Sequence, residues 1–380
     1  MPPAGRRQGH SRSADTSQLL RRVSLVAAAR CLCVSAAQND STPTSAAHVR
    51  LSLSPRGHVL VSWSSAEGSD GAPSGEHPQE VRYAPVNSDL ASGNITQAVQ
   101  QTSWLGRRWS VAELECANEA EEYAYQIDTG NGSVFGEHFQ CRAPSPSSGT
   151  SSSSSAGSVR ERPFRLALIG DLPFGADGST SHEVLRVLSE EAWDAAIHLG
   201  DLAGNLSDQE GLRGEQFLEM IQPLASRVPY MTLAGDRDKL AFYSRFFRMP
   251  SSGNDPWYAF SLGPARFIML WTESLANLGA DFQDTQAKRQ LAWLERELEQ
   301  ANTPETRTKQ PWLLVAGHRP LYCSVLRPTC STEAARLRAV LEPLLGRYKV
   351  DMYLSAHVHA YERTFAVLNG SLCASAEHCG

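Results

Sequence analysis

The sequence predicts two domains of different class: a small all-β sandwich, then an α/β domain whose sheets are flanked by helices. Three observations carry this. Short segments of period 2 fill the first part of the chain, and apolar runs alternating with helical periodicity fill the second. Between them lies "PSPSSGTSSSSSAGSVRER", a Ser-rich stretch that buries too little apolar surface to order itself and reads as a linker over 144–162. At 380 residues and 41% apolar content, the chain is long enough for two domains with at least one sizeable core.

Residues 1–36 have the pattern of a signal peptide. Arg6, Arg7, Arg12, Arg21 and Arg22 precede the short apolar "VSLVAAARCLCVSAAQ", with cleavage expected near Ala36. Arg30 interrupts the apolar run, and the competing reading is a disordered basic leader. Five of the ten asparagines sit in Asn-X-Ser/Thr triplets: Asn39, Asn94, Asn131, Asn205 and Asn369. Loss of the leader would remove Cys31 and Cys33 and leave an even set: Cys116, Cys141, Cys323, Cys330, Cys373 and Cys379. The local pairs 323–330 and 373–379 are the first expected as disulfides. A secreted or lumenal protein follows as the expectation. No run of 18 apolar residues exists, so no transmembrane segment is predicted. The net charge of −6, with no dense Lys/Arg run, argues against nucleic acid as a partner.

Over residues 46–143, "HVRLSLS", "HVLVSWSS", "EVRYAPV", "RWSVAELE", "EYAYQID" and "VFGEHFQC" are predicted strands, with Trp63 in the core. From 163 to 380 the pattern changes. "RLALIGDL", "AAIHLGDLAG", "PYMTLAGDRD" and "QPWLLVAGH" read as buried strands. "HEVLRVLSEEAW", "EGLRGEQFLEMIQPLASRV", "TQAKRQLAWLERELEQ" and "AARLRAVLEPLLGRY" read as helices. Leu291, Leu294 and Leu298 share one helical face, as do Leu337, Val340, Leu341 and Leu344. "WYAFSLGPARFIMLW" reads as two strands around a Gly-Pro turn, and "VDMYLSAHVH" closes the series.

What ends each run matters most. Asp171 follows "LALIG", Asp201 follows "AIHLG", Asp236 follows "MTLAG", His318 follows "LLVAG", and His357 and His359 follow "MYLSA". A single Asp after a strand is most often a turn former or helix cap. The His pair is spaced i, i+2, so both rings share a strand face about 6.5–7 Å apart, and the spacing alone does not decide between a metal and a wet strand end. In open α/β sheets the functional crevice lies at the carboxyl ends of the strands. Five strand ends in order, delivering three carboxylates and three imidazoles, point to a dinuclear metal site. Oxygen and nitrogen donors without thiolate suit Fe, Zn or Mn. His198, inside "AAIHLGD", reads as a packed strand residue.

The ordered blocks "GDLPFG", "HLGDLAGN", "PYMTLAGDRD", "FYSRFFRMP", "AGHRPLYCS" and "AHVHAYERT" resemble the purple acid phosphatases of the metallophosphoesterase superfamily, in the larger animal-type form. The resemblance covers about His48 to Ser371. It implies a calcineurin-like domain preceded by a fibronectin type III-like sandwich. It also implies a ligand scheme: Asp171 and His359 on the first metal, Asp201 bridging, and His318, His357 and Asp236 on the second. The chemistry implied is hydrolysis of a small phosphate monoester by in-line attack of a metal-activated water.

The sequence departs from that family at three positions. Gly204 stands where the family has the Tyr whose phenolate binds ferric iron. Asp236 replaces Asn, and Arg237 replaces a His expected to contact substrate and protonate the leaving group. Three anionic ligands remain, but one negative charge has moved from the first metal to the second. The expectation is a colourless centre that favours divalent ions over Fe(III). Arg237 cannot release a proton near neutrality but can clamp phosphate oxygens. The family also continues beyond the His-X-His strand, so the second domain reads as truncated. The alternative function is a catalytically impaired secreted glycoprotein acting as a binding module; a phosphodiesterase of the same superfamily fits the two last blocks less well.

Overall fold

The computed structural model of the chain describes residues 46–66, 79–115, 121–129, 134–141, 164–175, 179–251, 253, 255–277 and 284–373. The leader, the Ser-rich linker, Asn39, Asn131, Cys116 and Cys379 lie outside the described residues.

Eight strands come first: β1 (Ala47–Leu53), β2 (Val59–Ala66), β3 (Glu80–Pro85), β4 (Asn94–Gln97), β5 (Gln100–Trp104), β6 (Arg107–Leu114), β7 (Glu121–Asp128) and β8 (Val134–Cys141). They form two four-stranded antiparallel sheets, β1-β2-β6-β5 and β4-β3-β7-β8. Alternating residues from both sheets, including Val49, Leu51, Val61, Trp63, Val81, Tyr83, Leu114, Tyr125 and Ile127, meet in one buried cluster. Trp63 is fully buried, and its indole N–H donates to Gln79 Oε1 at 2.9 Å, so burial leaves no orphaned donor. Periodicity predicts six of these strands and misses β4 and β5. Both are edge strands, where solvent on one side permits polar sequences such as "NITQ" and "QQTSW" that carry no alternation.

The second part alternates strands and helices: β9 (Leu166–Ile169), α1 (Ser179–Ser189), β10 (Ala195–His198), α2 (Leu212–Ala225), β11 (Tyr230–Thr232), α3 (Leu240–Phe246), β12 (Tyr258–Leu262) and β13 (Ala265–Leu270). After these come α4 (Thr272–Asn277), α5 (Thr285–Ala301), α6 (Pro304–Lys309), β14 (Trp312–Gly317), α7 (Ala334–Arg347), β15 (Met352–Leu354) and the short pair β16 (Val367–Leu368) and β17 (Ser371–Leu372).

The five strands that lead to candidate ligands do not share one sheet. β9, β10 and β11 form a parallel sheet in the order β11-β10-β9, while β12-β13-β14-β15 form a second. In the latter, β12 and β13 are an antiparallel hairpin through Gly263–Pro264, and β13, β14 and β15 run parallel. The two sheets share a core: Ile197, Leu199, Met231 and Leu233 on one side meet Phe260, Phe267, Met269 and Ala316 on the other. Helices cover the outer faces. On α5, Leu294 and Leu298 are buried and Leu291 packs at the margin; on α7 the buried line is Leu337, Leu341 and Leu345. The predicted α7 face is therefore rotated slightly, with Val340 and Leu344 on its flank.

The β-sheets at the chain's start lock onto α2 and α3. Trp109 of β6 meets Phe246 edge-on with ring centroids 5.6 Å apart, and Trp104 meets Phe246 at 4.9 Å. Gln222 accepts the Val49 N–H at 2.8 Å, and Tyr125 donates its hydroxyl to the Ser226 carbonyl at 2.7 Å. Replacing Trp109 by Ala is therefore expected to destabilise the protein by about 3–5 kcal/mol. Urea denaturation reads it; a loss below about 1 kcal/mol would show that this aromatic contact does not hold the two parts together.

Candidate metal centre

Each candidate ligand sits in the turn that follows a strand; His357 and His359 lie beyond the end of β15 at Leu354, in left-handed conformations, and not on a shared strand face as their i, i+2 spacing predicts. Four adopt left-handed backbone conformations that cost non-glycine residues roughly 1 kcal/mol or more each. Their φ values are 52° (Asp171), 54° (Asp201), 69° (His357) and 51° (His359). Strain of this kind persists only where the surroundings over-determine it, and here it is concentrated at one end of the two sheets. Two preceding glycines make the convergence physically admissible. A Cβ on Gly235 would lie 2.3 Å from Asp201 Oδ1, and one on Gly200, whose φ is +92°, would lie 2.7 Å from His318 Nδ1. Any larger residue would push the strand ends apart.

The six side chains form one contiguous set. His318 Nε2 lies 3.0 Å from Asp236 Oδ1 and 3.5 Å from Asp201 Oδ1. His357 Nδ1 lies 3.1 Å from both Asp236 Oδ1 and His318 Nε2. His359 Nε2 stands 3.4 Å from Asp171 Oδ1, and the backbone N–H of His357 donates to Asp171 Oδ2 at 2.7 Å. Ligand-type atoms of Asp236, His318 and His357 lie within 4.8 Å of one another, as do those of Asp171, Asp201 and His318. His318 belongs to both groups. Asp171 Oδ1 is buried and has no hydrogen-bond partner, the mark expected of an oxygen shaped for a cation. The donor set therefore fits a pair of metal ions.

Electrostatics agree. His318 Nδ1 must donate to the Leu199 carbonyl, 2.8 Å away, because a carbonyl only accepts; Nε2 is thereby aimed at the carboxylates. Burial alone would lower the His318 pKa, but the hydrogen bond to Asp236 and the charge of Asp201 outweigh it and push it up to about 9. Hydrogen bonds from His318 and His357 hold the Asp236 carboxyl well below the usual range. Burial raises Asp201, against the pull of His318 and of the Arg237 N–H.

Several residues that hold the site carry no separate signal in the sequence. Asp238 accepts backbone N–H groups of Asp201 (2.9 Å), Leu202 and Gly235 (2.9 Å), tying the second and third ligand turns together. It closes "GDRD", and that second acid is the available clue. Arg319, next to His318, donates to Glu273 at 2.7 Å, pairs with Glu333, and reaches His357 Nε2 at 3.2 Å. Glu273 and Glu333 stand on other elements, so only tertiary structure brings them in. Arg237 leans its Nε toward Asp201 Oδ2 at 3.7 Å, with its side chain mostly exposed. Asp201, Asp236, Arg237, His357 and His359, together with Arg327 and Thr329, line a cavity of about 180 Å³. A larger cavity of about 240 Å³, lined by residues such as Tyr243, Arg248 and Tyr258, holds no group of ligand-type side chains among the described residues. His198, fully buried, bonds the Tyr230 hydroxyl at 2.8 Å and belongs to neither donor group.

The calcineurin-like phosphoesterase profile matches residues 164–361, just over half of the chain and the whole ligand-bearing part. The chain belongs to the calcineurin-like phosphoesterase family. Among curated members it is similar to acid phosphatase type 7 of Homo sapiens, 36% identical over 217 residues, covering 54% of this chain and 48% of that protein. A purple acid phosphatase of Glycine max is 27% identical over 335 residues, covering 82% of this chain and 63% of that protein. Among solved structures, a purple acid phosphatase from yellow lupin (Lupinus luteus) seeds superimposes with a TM-score of 0.66 at 23% identity, over 87% of this chain and 61% of that one. The phosphoesterase chain spans about half the length of the acid phosphatase type 7 proteins it matches.

One consequence of the charge arrangement is measurable. Below about pH 9 His318 of the metal-free protein carries a proton on Nε2, and ligation requires that proton to leave. The Asp236–His318 pair thus contributes to metal-free stability fully below about pH 6.5, the usual histidine value, and loses it as pH rises through about 9. From the Asp236 side, the contribution is lost as pH falls through that group's depressed range. Metal loading at pH 6–7 is expected to release about one proton from this site, and apparent affinity should rise with pH toward 9. Calorimetry in buffers of different ionisation heat reads the release; a heat independent of buffer would contradict it.

Proposed function

We propose that the chain is a metal-dependent acid phosphatase that hydrolyses small phosphate monoesters, with Asp171 and His359 on one ion, Asp201 shared, and His318, His357 and Asp236 on the other. The observation that carries this reading is the pair of donor groups that overlap at His318, Asp236–His318–His357 and Asp171–Asp201–His318, with His359 Nε2 3.4 Å from a buried Asp171 oxygen that has no hydrogen-bond partner. When bound, the two ions supply Lewis-acid neutralisation of phosphoryl charge and acidify water. The chain's own residues do the rest. Asp201, braced by the Arg237 N–H at 3.1 Å, holds its carboxylate 3.5 Å from His318 Nε2, the residue common to the two donor groups. Arg319 and Asp238 fix His357 and the Asp201 turn. The Arg237 guanidinium, at the rim of the cavity, offers paired N–H groups to phosphate oxygens but no proton to the departing alkoxide.

Support for a secretory location comes from the Cys323–Cys330 disulfide, with Cys141 and Cys373 also disulfide-bonded. We read the eight-stranded part as a fibronectin type III-like sandwich, and residues 1–36 and 144–162 as leader and linker. Asn94 and Asn369 are exposed and open to glycosylation. Asn205 is less suited: its amide donates to Asp208 at 2.7 Å while its oxygen accepts from Ser207 at 3.0 and 2.8 Å.

Hydrolysis of p-nitrophenyl phosphate with added divalent metals tests the reading, and His318→Ala should lower it by more than about a hundredfold. Aryl phosphates should be turned over faster than alkyl phosphates, whose leaving groups need the proton Arg237 cannot give; equal rates would contradict that role. Gly204 offers no phenolate, so the purified protein should be colourless and hold Zn, Mn or Fe(II). Stoichiometric Fe(III) with a visible charge-transfer band would refute this. Gly204 and Arg237 also favour a second reading, a non-catalytic glycoprotein with binding function, to which absence of turnover under every metal would lead.

A further inference from the structure

Arg327 lines the metal-centre cavity from outside the six ligands. It lies within the eight-residue loop "CSVLRPTC" that the Cys323–Cys330 disulfide closes. Among the described residues no carboxylate pairs with its guanidinium, whereas Arg319, beside His318, is held by Glu273 and Glu333. An exposed arginine is ordinarily a solvated one, so the reading depends on how its loop is held. The disulfide fixes the loop's ends to each other. Glu362, three residues beyond His359, accepts both the backbone N–H and the hydroxyl of Ser324 at 3.0 and 3.1 Å. At the far side the loop runs into the turn Thr329–Glu333, whose Glu333 joins Arg319 and through it His357 Nε2 at 3.2 Å. Before the loop, Arg338 donates to the Leu321 carbonyl at 2.7 Å and lies over the Tyr322 ring at 4.6 Å. Both ends of the loop therefore hang on segments that carry candidate metal ligands, and the root of Arg327 is pre-organised relative to them. The carboxylates of the site answer to cations, and Arg237 answers to the phosphoryl group. Arg327 is left as a second positive centre on the same cavity with no anion of its own.

We propose that Arg327 determines specificity by binding a second anionic group on the substrate, so that the preferred class is phosphate monoesters with another phosphate or carboxylate a few bonds from the ester oxygen. This rests on the phosphatase reading for its substrate but not for its binding test. Calorimetric titration of the metal-loaded full chain with methylphosphonate and with phosphonoacetate, which differ by one carboxylate, reads it without turnover. Phosphonoacetate should bind about tenfold more tightly, the size of one charge-assisted contact. Arg327→Gln should abolish that ratio, and Arg327→Lys should keep part of it. In the unaltered protein the ratio should shrink as salt is raised, because the contact is solvent-accessible. Equal affinities in the unaltered protein, or a ratio that survives Arg327→Gln, would overturn the assignment. If Arg327→Gln binds neither ligand, the Arg327→Lys ratio and the salt titration decide the matter. A preference lost in Arg327→Gln, in a chain that hydrolyses nothing with any metal, sinks the phosphatase reading and upholds the Arg327 site. Turnover of phenyl phosphate with no lower KM for 3-carboxyphenyl phosphate does the reverse.

Discussion

Three aspartate carboxylates and their mutual repulsion, at the meeting point of two sheets, form the constraint to which the rest of the structure answers. Like charges brought together in a partly desolvated cavity raise one another's proton affinity. This effect adds to burial, the larger cause, at Asp201, and again at neighbouring Asp238, which burial pushes up to about 7 despite three backbone N–H donors. In the metal-free protein the proton on His318 offsets this negative charge, and hydrogen bonds from His318 and His357 draw Asp236 down. A cation at this donor set would compete with protons, so affinity for a metal would be inseparable from pH.

The backbone is built around that constraint. Four of the six candidate ligands occupy left-handed positions in the turns that follow strands, and hydrogen bonds between neighbouring strand ends hold those turns. The Asp171 N–H donates to the Gly200 carbonyl at 3.1 Å, and the Ala356 N–H to the His318 carbonyl at 2.9 Å. Those two bonds join each sheet's strand ends internally, and the His318 ring spans the gap to Leu199 in the other sheet. The shared core behind them keeps the two sheets in register, and the charged network of Arg319, Glu273 and Glu333 closes the site on the side of α4 and α7. Tertiary packing thus offsets the local strain at the ligands.

Much of this is legible in the order of the amino acids. The succession of strands and helices follows from periodicity, because a buried strand and an amphipathic helix must each present apolar residues at a fixed repeat. Five of the six candidate ligands are legible because each follows an apolar run through a glycine or alanine; His359 is legible only by its spacing from His357. The edge strands β4 and β5 are not, since an edge in water needs no apolar alternation. Nor is the division of the ligand-bearing strands between two sheets: a parallel strand reads the same whichever sheet it joins.

What the sequence by itself determined is chemical: which donors follow the strands, that Gly204 has no donor side chain, and that Arg237 cannot serve as an acid. What only the tertiary structure decided is proximity. That Glu333 reaches Arg319, that Glu362 anchors Ser324, and that Arg327 overlooks the same cavity as Asp201 all depend on loop paths whose contacts leave no periodic trace. Periodicity reports which face of an element meets the core, and it is silent on which distant side chains share a surface.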